Sequence, residues 1–445
     1  MTRTISSHAR ETLRLAAPLI IGQVATVAMG FVDTLMAGRR DAVSLAAIAV
    51  GGSLWGTLTY FIHGVLMALP PTVAQLRGSG RTIKIASWTW QTFWLGQALA
   101  LLSILILYNA EGILALVGIQ PEIVPLTGRY LKALCWGMPP LCAYLALRFL
   151  SEGLAYTRPS MYLGVMGLGV NVVANYALIY GRWGFPELGA VGCGYATSLV
   201  FGIQFLGMLI PVVRQKRFRS LDLLSGRELP RWPELRALLR LGLPMGTSIF
   251  IEASFFTSIA LLMGSLGTTI VAGHQVAINF AALAFMVPLG LSLAITVRVA
   301  EAVGAGETSD ARRAGQVGVG LALCTQLLSA SVMLAVPGLI VAIYTRDPAV
   351  AEIALGLILL AAIFQIPDGL QVSAAGALRG LKDTRVPMVV TLISYWLVGL
   401  SLGYFLGIRL GNGAKGLWVG VIAGLSCAAV MLVWRFHRLS KCSVG

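Results

Sequence analysis

Charge is what this chain has least of. Of 445 residues, 33 are Lys or Arg and 18 are Asp or Glu, together 11%, against about 25% in an ordinary soluble domain. That deficit excludes both a soluble globule and a disordered chain, which need charge to face water. Metal-binding and redox patterns are also missing. The six cysteines form no CxxC pair and the four histidines have no ligand spacing, so neither a zinc site nor a disulfide framework is expected. GSGRTIK at residues 78–84 lacks the spacing of a phosphate-binding Walker loop. No ATP-driven step and no enzymatic reaction are expected, and no organic cofactor.

What is present is apolar. AVILMFWYC make up 57% of the chain, with 51 glycines besides, and the mean hydropathy is +0.82. At about 20 residues per membrane crossing, twelve apolar stretches can each span a bilayer, six before residue 213 and six from residue 241. The apolar run after MTRTISSHAR is too long for a signal-peptide core and reads as a retained first helix. The net charge of +15 would suggest nucleic acid in a soluble protein. Here the excess of Lys and Arg in cytoplasmic loops accounts for it first, and no nucleic-acid partner is expected. With an inside N-terminus and alternating loops, only Arg39, Arg40, Arg129, Lys132, Arg182, Arg346, Arg409 and Lys415 of the 33 basic residues fall outside. Both termini are therefore expected in the cytoplasm.

The two halves repeat. LRLAAP from Leu13 returns as LRLGLP from Leu239, and Gly64, Gly78 and Gly80 return as Gly290, Gly304 and Gly306 at the same offset. One residue later in register, GLAYTRPSM from Gly153 returns as GLKDTRVPM from Gly380, and Pro140 as Pro367. Six crossings per half give both halves one orientation. The expected fold is an all-α polytopic membrane protein, twelve transmembrane helices in two six-helix bundles related by a pseudo-twofold axis along the membrane normal. The expected boundaries are residues 1–213 for the first bundle, 214–240 for a basic cytoplasmic linker, 241–436 for the second bundle and 437–445 for a cytoplasmic tail.

An ionisable group deep in a membrane helix costs about 2.5–3.5 kcal/mol on insertion scales, so its presence points to function. Asp33 in GFVDTLMAG, Glu252 in IFIEASFF and Asp368 in FQIPDGLQ qualify; Glu152 and Glu301, near cytoplasmic ends, read as structural. The repeat supplies a control, because Asp33 corresponds to Ile259, Glu252 to Thr26 and Asp368 to Leu141. The same helices are built without an acid there. Pro367 has no N–H for the carbonyl of Ile363, which puts a freed oxygen one turn from Asp368 and suits a small hard cation. Asn171 and Asn175 share a helix face and are candidates to bond Asp33, or simply to hold helices together. Gln275 and Asn279 form a similar polar stripe. Phe256, Phe285 and Phe364 are candidate pocket residues, since aromatic faces attract organic cations. Gly51-Gly52-Ser53-Leu54 with His63 nominally fits an intramembrane serine hydrolase.

GFVDTLMAG (30–38), NVVANY (171–176), AGHQVAINF (272–280) and FQIPDGLQVSAAGALRGLKDTR (364–385), spread over the whole chain, resemble the multidrug and toxic compound extrusion (MATE) transporters, in particular the bacterial NorM-type branch. The resemblance implies a monomeric antiporter of the bacterial inner membrane, which expels organic, often cationic, compounds through a central cleft with alternating access in exchange for Na⁺ or H⁺. It implies that Glu252 and Asp368 couple the ion, and bind it as metal ligands if that ion is Na⁺. Asp33, with Asn171 and Asn175, would serve the first bundle. Some relatives carry a tyrosine one turn before the second acid; here that place is Phe364, without a hydroxyl. The alternative is a flippase of lipid-linked oligosaccharides, which would want cationic residues for pyrophosphate where this chain has acids.

Overall fold

The computed structural model describes residues 4–116, 118–223 and 228–442, so part of the 214–240 linker and the last residues of the tail lie outside the described residues. Its helices are α1 Ile5–Gly38, α2 Ala42–Leu66, α3 Leu69–Gly78, α4 Lys84–Tyr108, α5 Ala110–Leu116, α6 Val124–Cys135, α7 Met138–Gly153, α8 Arg158–Tyr180 and α9 Ala190–Arg214. After the short α10 Lys216–Arg219 come α11 Trp232–Ser265, α12 Thr268–Gly304, α13 Thr308–Ala335, α14 Pro337–Tyr344, α15 Pro348–Gly380, α16 Arg385–Leu392, α17 Ser401–Tyr404 and α18 Gly413–Cys442. Two π-helical stretches, Ile393–Leu400 and Phe405–Arg409, join α16 to α17 and continue it. Among the described residues there is no strand. Eleven spans are long and apolar enough to cross a membrane, or twelve if α6 and α7, bent by 45°, count as one.

Prolines decide where the apolar runs break. Three runs that the sequence presents as single stretches are divided, α2 from α3, α6 from α7 and α13 from α14, and the second helix of each pair carries proline in its first turn. There the missing N–H costs nothing, whereas one turn earlier it would break the ladder. Repeat partners differ in this respect. α12 and α15 run unbroken through Pro288 and Pro367, where their counterparts in the first half are divided.

The chain forms two compact units, one of residues 21–246 and the other of the described residues up to Ile20 together with Thr247 onward. Each boundary falls just past a proline inside a long helix, Pro18 in α1 and Pro244 in α11. In the first unit α8 packs on α9, α9 on α6, and α4 on α7. The basic linker is strapped to α4: Trp90 Nε1 donates to Leu223 O and Trp94 Nε1 to Glu228 O, each at 2.9 Å, and Gln91 Nε2 to Leu229 O at 3.0 Å. Arg148 and Glu152 neutralise each other at 2.7 Å, both buried, in keeping with a structural role for that acid.

In the second unit α15 lies centrally, packed on α12, α13 and α18. The π-helical segment and α17 close on α18 through glycines: a Cβ on Gly420 would fall 2.2 Å from Gly403 Cα, so only backbone fits at that crossing. The start of α1 is pinned here by Arg298 of α12. Its guanidinium donates to His8 O at 2.6 Å, to Thr12 Oγ1 at 2.8 Å and to Glu11 Oε2 at 2.8 Å, while His8 Nε2 faces Asp310 Oδ1 at 3.3 Å. Arg298 is buried although Glu11 is 43% exposed, and hydrogen bonds to a charged group contribute about 1.5–3 kcal/mol. Arg298→Ala is expected to lower the melting temperature of the purified protein markedly, with Arg298→Lys in between. An unchanged melting curve for the alanine variant would show that the network contributes nothing.

Candidate ion-coupling sites

The first candidate site lies wholly in the first unit. Asp33 is on the last third of α1, and α8 presents Asn171 and Asn175 to it from successive turns of one face. Asn171 Nδ2 donates to Asp33 Oδ1 at 2.9 Å and Asn175 Nδ2 to the same oxygen at 2.6 Å. Thr197 Oγ1, from α9, approaches Oδ2 at 3.4 Å. Asn175 Nδ2 also reaches Asn171 Oδ1 at 3.2 Å, which fixes both amide orientations. Both asparagines are buried, at 1% and 0% exposure. A carboxylate held by neutral donors keeps its charge uncompensated, and that suits it to take up a cation or a proton. Cys193 also contacts it; neither Thr197 nor Cys193 is marked in the sequence by any spacing to Asp33.

The second candidate site lies wholly in the second unit. Asp368 is buried in the middle of α15, at 2% exposure, one residue after Pro367. Glu252, partly buried on α11, lies within electrostatic range of the Asp368 carboxyl group. Gln371, one turn beyond Asp368, is within hydrogen-bonding reach of it. Arg379, near the end of α15, donates from Nη2 to Ser292 Oγ at 2.6 Å and is within electrostatic range of Glu252. Gln371 stands at the i, i+3 spacing that a helix reading finds readily; Arg379 lies too far along the chain for that.

The aromatic candidates fall into different surroundings. Phe364 is core: it is 3% exposed, edge-on to Trp418 with centroids 5.7 Å apart and to Phe256 at 6.2 Å. Phe256 and Phe285 are partly buried, and Gln275 and Asn279 are exposed on α12. His274 is a satisfied structural imidazole whose Nδ1 accepts from Trp418 Nε1 at 3.2 Å. The hydrolase pattern does not assemble, because Ser53 Oγ donates back to Ala49 O at 2.8 Å and His63 lies edge-on to Phe149. Among the described residues no group of three or more His, Cys, Asp or Glu is arranged to hold a metal.

The MatE family profile aligns with residues 18–177 and again with 244–405, one copy per repeat and together most of the chain. The protein belongs to the MatE family. Similar MatE relatives include the multidrug resistance protein PmpM of Pseudomonas aeruginosa, 45% identical over 442 residues, covering 98% of this chain and 93% of that protein. Another is the probable multidrug resistance protein NorM of Xanthomonas axonopodis pv. citri, 44% identical over 440 residues, covering 99% and 96%. Among solved structures, the fold resembles a MATE transporter in the straight conformation, with a TM-score of 0.90 at 18% identity over 98% of this chain and 97% of that one. It also resembles the eukaryotic MATE transporter AtDTX14, with a TM-score of 0.86 at 18% identity over 99% and 98%. These structural likenesses establish the shared MATE fold.

Proposed function

We propose that this protein is a multidrug efflux transporter of the inner membrane, a secondary antiporter that exchanges Na⁺ or H⁺ for organic, often cationic, compounds by alternating access. The observation that carries the reading is the pair of acid sites, partly buried Asp33 with its two buried asparagines and partly buried Glu252 with buried Asp368, in helices long enough to span a bilayer. The names of the relatives PmpM and NorM supply the substrate class. Two carboxylates brought together out of water need a cation or a proton between them. Release of that ion toward the cytoplasm leaves charge that favours an incoming organic cation, and competition for the same oxygens gives exchange. One cation entering down about 100 mV releases about 2.3 kcal/mol, enough for roughly a fiftyfold gradient of a neutral compound at about 1.4 kcal/mol per factor of ten.

The test is efflux of a fluorescent cation from proteoliposomes after a jump in Na⁺ or in pH. Either jump should drive efflux without nucleotide. Transport that persists with both gradients collapsed and requires ATP would overturn the reading. The bundles of residues 1–213 and 241–436 and the cytoplasmic linker between them belong to the same proposal, with both termini inside. Green fluorescent protein fused at the C-terminus should then fluoresce, whereas a dark fusion with an active reporter of export would reverse the orientation.

A further inference from the structure

Beside the Glu252 and Asp368 carboxyl groups lies a buried phenol that the helical repeat of the sequence does not bring there. Tyr395 is 0% exposed, and its hydroxyl has no hydrogen-bond partner among the described residues. Leaving a buried hydroxyl unpaired costs about 1–3 kcal/mol, so its burial calls for a ligand. The surroundings say which. Tyr395 is in the π-helical segment Ile393–Leu400, and this segment is pressed onto the turn of α11 that carries Glu252. The Tyr395 ring sits against Phe255 with centroids 5.1 Å apart, Trp396 Nε1 reaches toward Ile251 O at 3.4 Å, and a Cβ on Gly399 would stand 3.1 Å from the Phe255 ring. The phenol is within electrostatic range of both Glu252 and Asp368.

The π turn has a mechanical role in this. A π-helical stretch holds one more residue than the α-helix it replaces, so side chains after its start are rotated relative to α-helical spacing. Within this segment the Tyr395 ring is buried while Leu397, two residues on, is exposed. π-helical turns recur at functional sites, and Tyr395 in this stretch lies within electrostatic range of two carboxyl groups.

We propose that the Tyr395 hydroxyl is a third oxygen ligand of the coupling cation, completing with Glu252 and Asp368 a site for Na⁺. A phenol oxygen has lone pairs to offer a cation and a proton to direct elsewhere, and hard cations take carboxylate and neutral oxygens together. With two carboxylates on one side, a neutral third ligand raises the coordination number without adding charge. The inference rests on the reading of Glu252 and Asp368 as the ion site and adds a residue to it.

The experiment is calorimetric titration of Na⁺, against choline as the balancing cation, into the purified full-length protein and its Tyr395→Phe, Glu252→Gln and Asp368→Asn variants. Tyr395→Phe should weaken Na⁺ binding at least tenfold while its melting temperature without Na⁺ stays at the wild-type value, and the rise of melting temperature with Na⁺ should shrink in step. Both acid variants should lose binding. Wild-type affinity in Tyr395→Phe beside lost binding in the acid variants would overturn the role of Tyr395 and leave the acid site standing. Retained affinity in the acid variants would instead move the ion site elsewhere, and a wild type that binds no Na⁺ would overturn the ligation outright. Should the phenylalanine variant fail to fold, thallium(I) soaked into wild-type crystals decides the matter. The ion should lie in bonding contact with the hydroxyl and both carboxyl groups, and an ion held by the carboxyl groups out of reach of Tyr395 would refute the proposal.

Discussion

Replacing Glu252 with Gln, or Asp368 with Asn, is expected to reduce ion-driven efflux to the level of protein-free vesicles, and the double variant to be little worse than either single one. The two groups share one charge balance: Asp368 is buried at 2% exposure and lies within electrostatic range of Glu252. Removing either carboxylate takes away one of the two groups that hold the ion together, and removing the second then takes away little more. Gln and Asn keep the side-chain volume, so the loss should not come from packing. Initial efflux rates in proteoliposomes after a Na⁺ or pH jump are the measurement. Unimpaired efflux in Asp368→Asn, with wild-type affinity for the coupling ion, would return that acid to a structural role. Additive losses in the double variant would show two independent sites.

The second large effect is expected from Asp33→Asn, of a different kind. Efflux should fall at least tenfold while Na⁺ binding by the purified protein, if Na⁺ is the coupling ion, stays within about twofold of wild type. The amide can still accept from Asn171 and Asn175, so the local frame survives, but hydrogen bonds to an ionised acceptor are roughly twice as strong as neutral ones. What is lost is the charge. Because Asp33 lies in the first compact unit and Glu252 with Asp368 in the second, the two substitutions act on separate sites. Loss of Na⁺ binding in Asp33→Asn would show instead that the three acids form one ion site.

Much of this was legible in the chain itself. Low charge and twelve continuous apolar runs of helix-spanning length point to a helical membrane protein, because a helix satisfies its own backbone within a single such run. The offset shared by Gly64 and Gly290, or by Pro140 and Pro367, reveals the repeat, and the family profile falls twice on that same repeat. Asp33, Glu252 and Asp368 stand out because an acid in hydrocarbon is costly, and the repeat builds the same helices without one. The pairing of Asn171 and Asn175 with Asp33 follows from two amides four residues apart on one helix face, but that they face α1 was decided by packing.

Tertiary structure alone decided the rest, for a common reason. Helical periodicity reports which residues share a face and not what that face meets. Phe364 and Gln275 look equally able to line a pocket, yet one is locked between Phe256 and Trp418 and the other is exposed. Arg298 holds the start of α1 across 290 residues of sequence, a contact for which no spacing argument exists. Tyr395 is the sharpest case. It stands in a π-helical stretch, whose register departs from that of an α-helix by a residue, and Gly399 and Gly424 let that stretch approach its neighbours closely. A one-residue shift is invisible to any pattern that assumes an α-helix, so the sequence determined which acids the membrane must hold, and the packed helices determined which oxygens stand beside them.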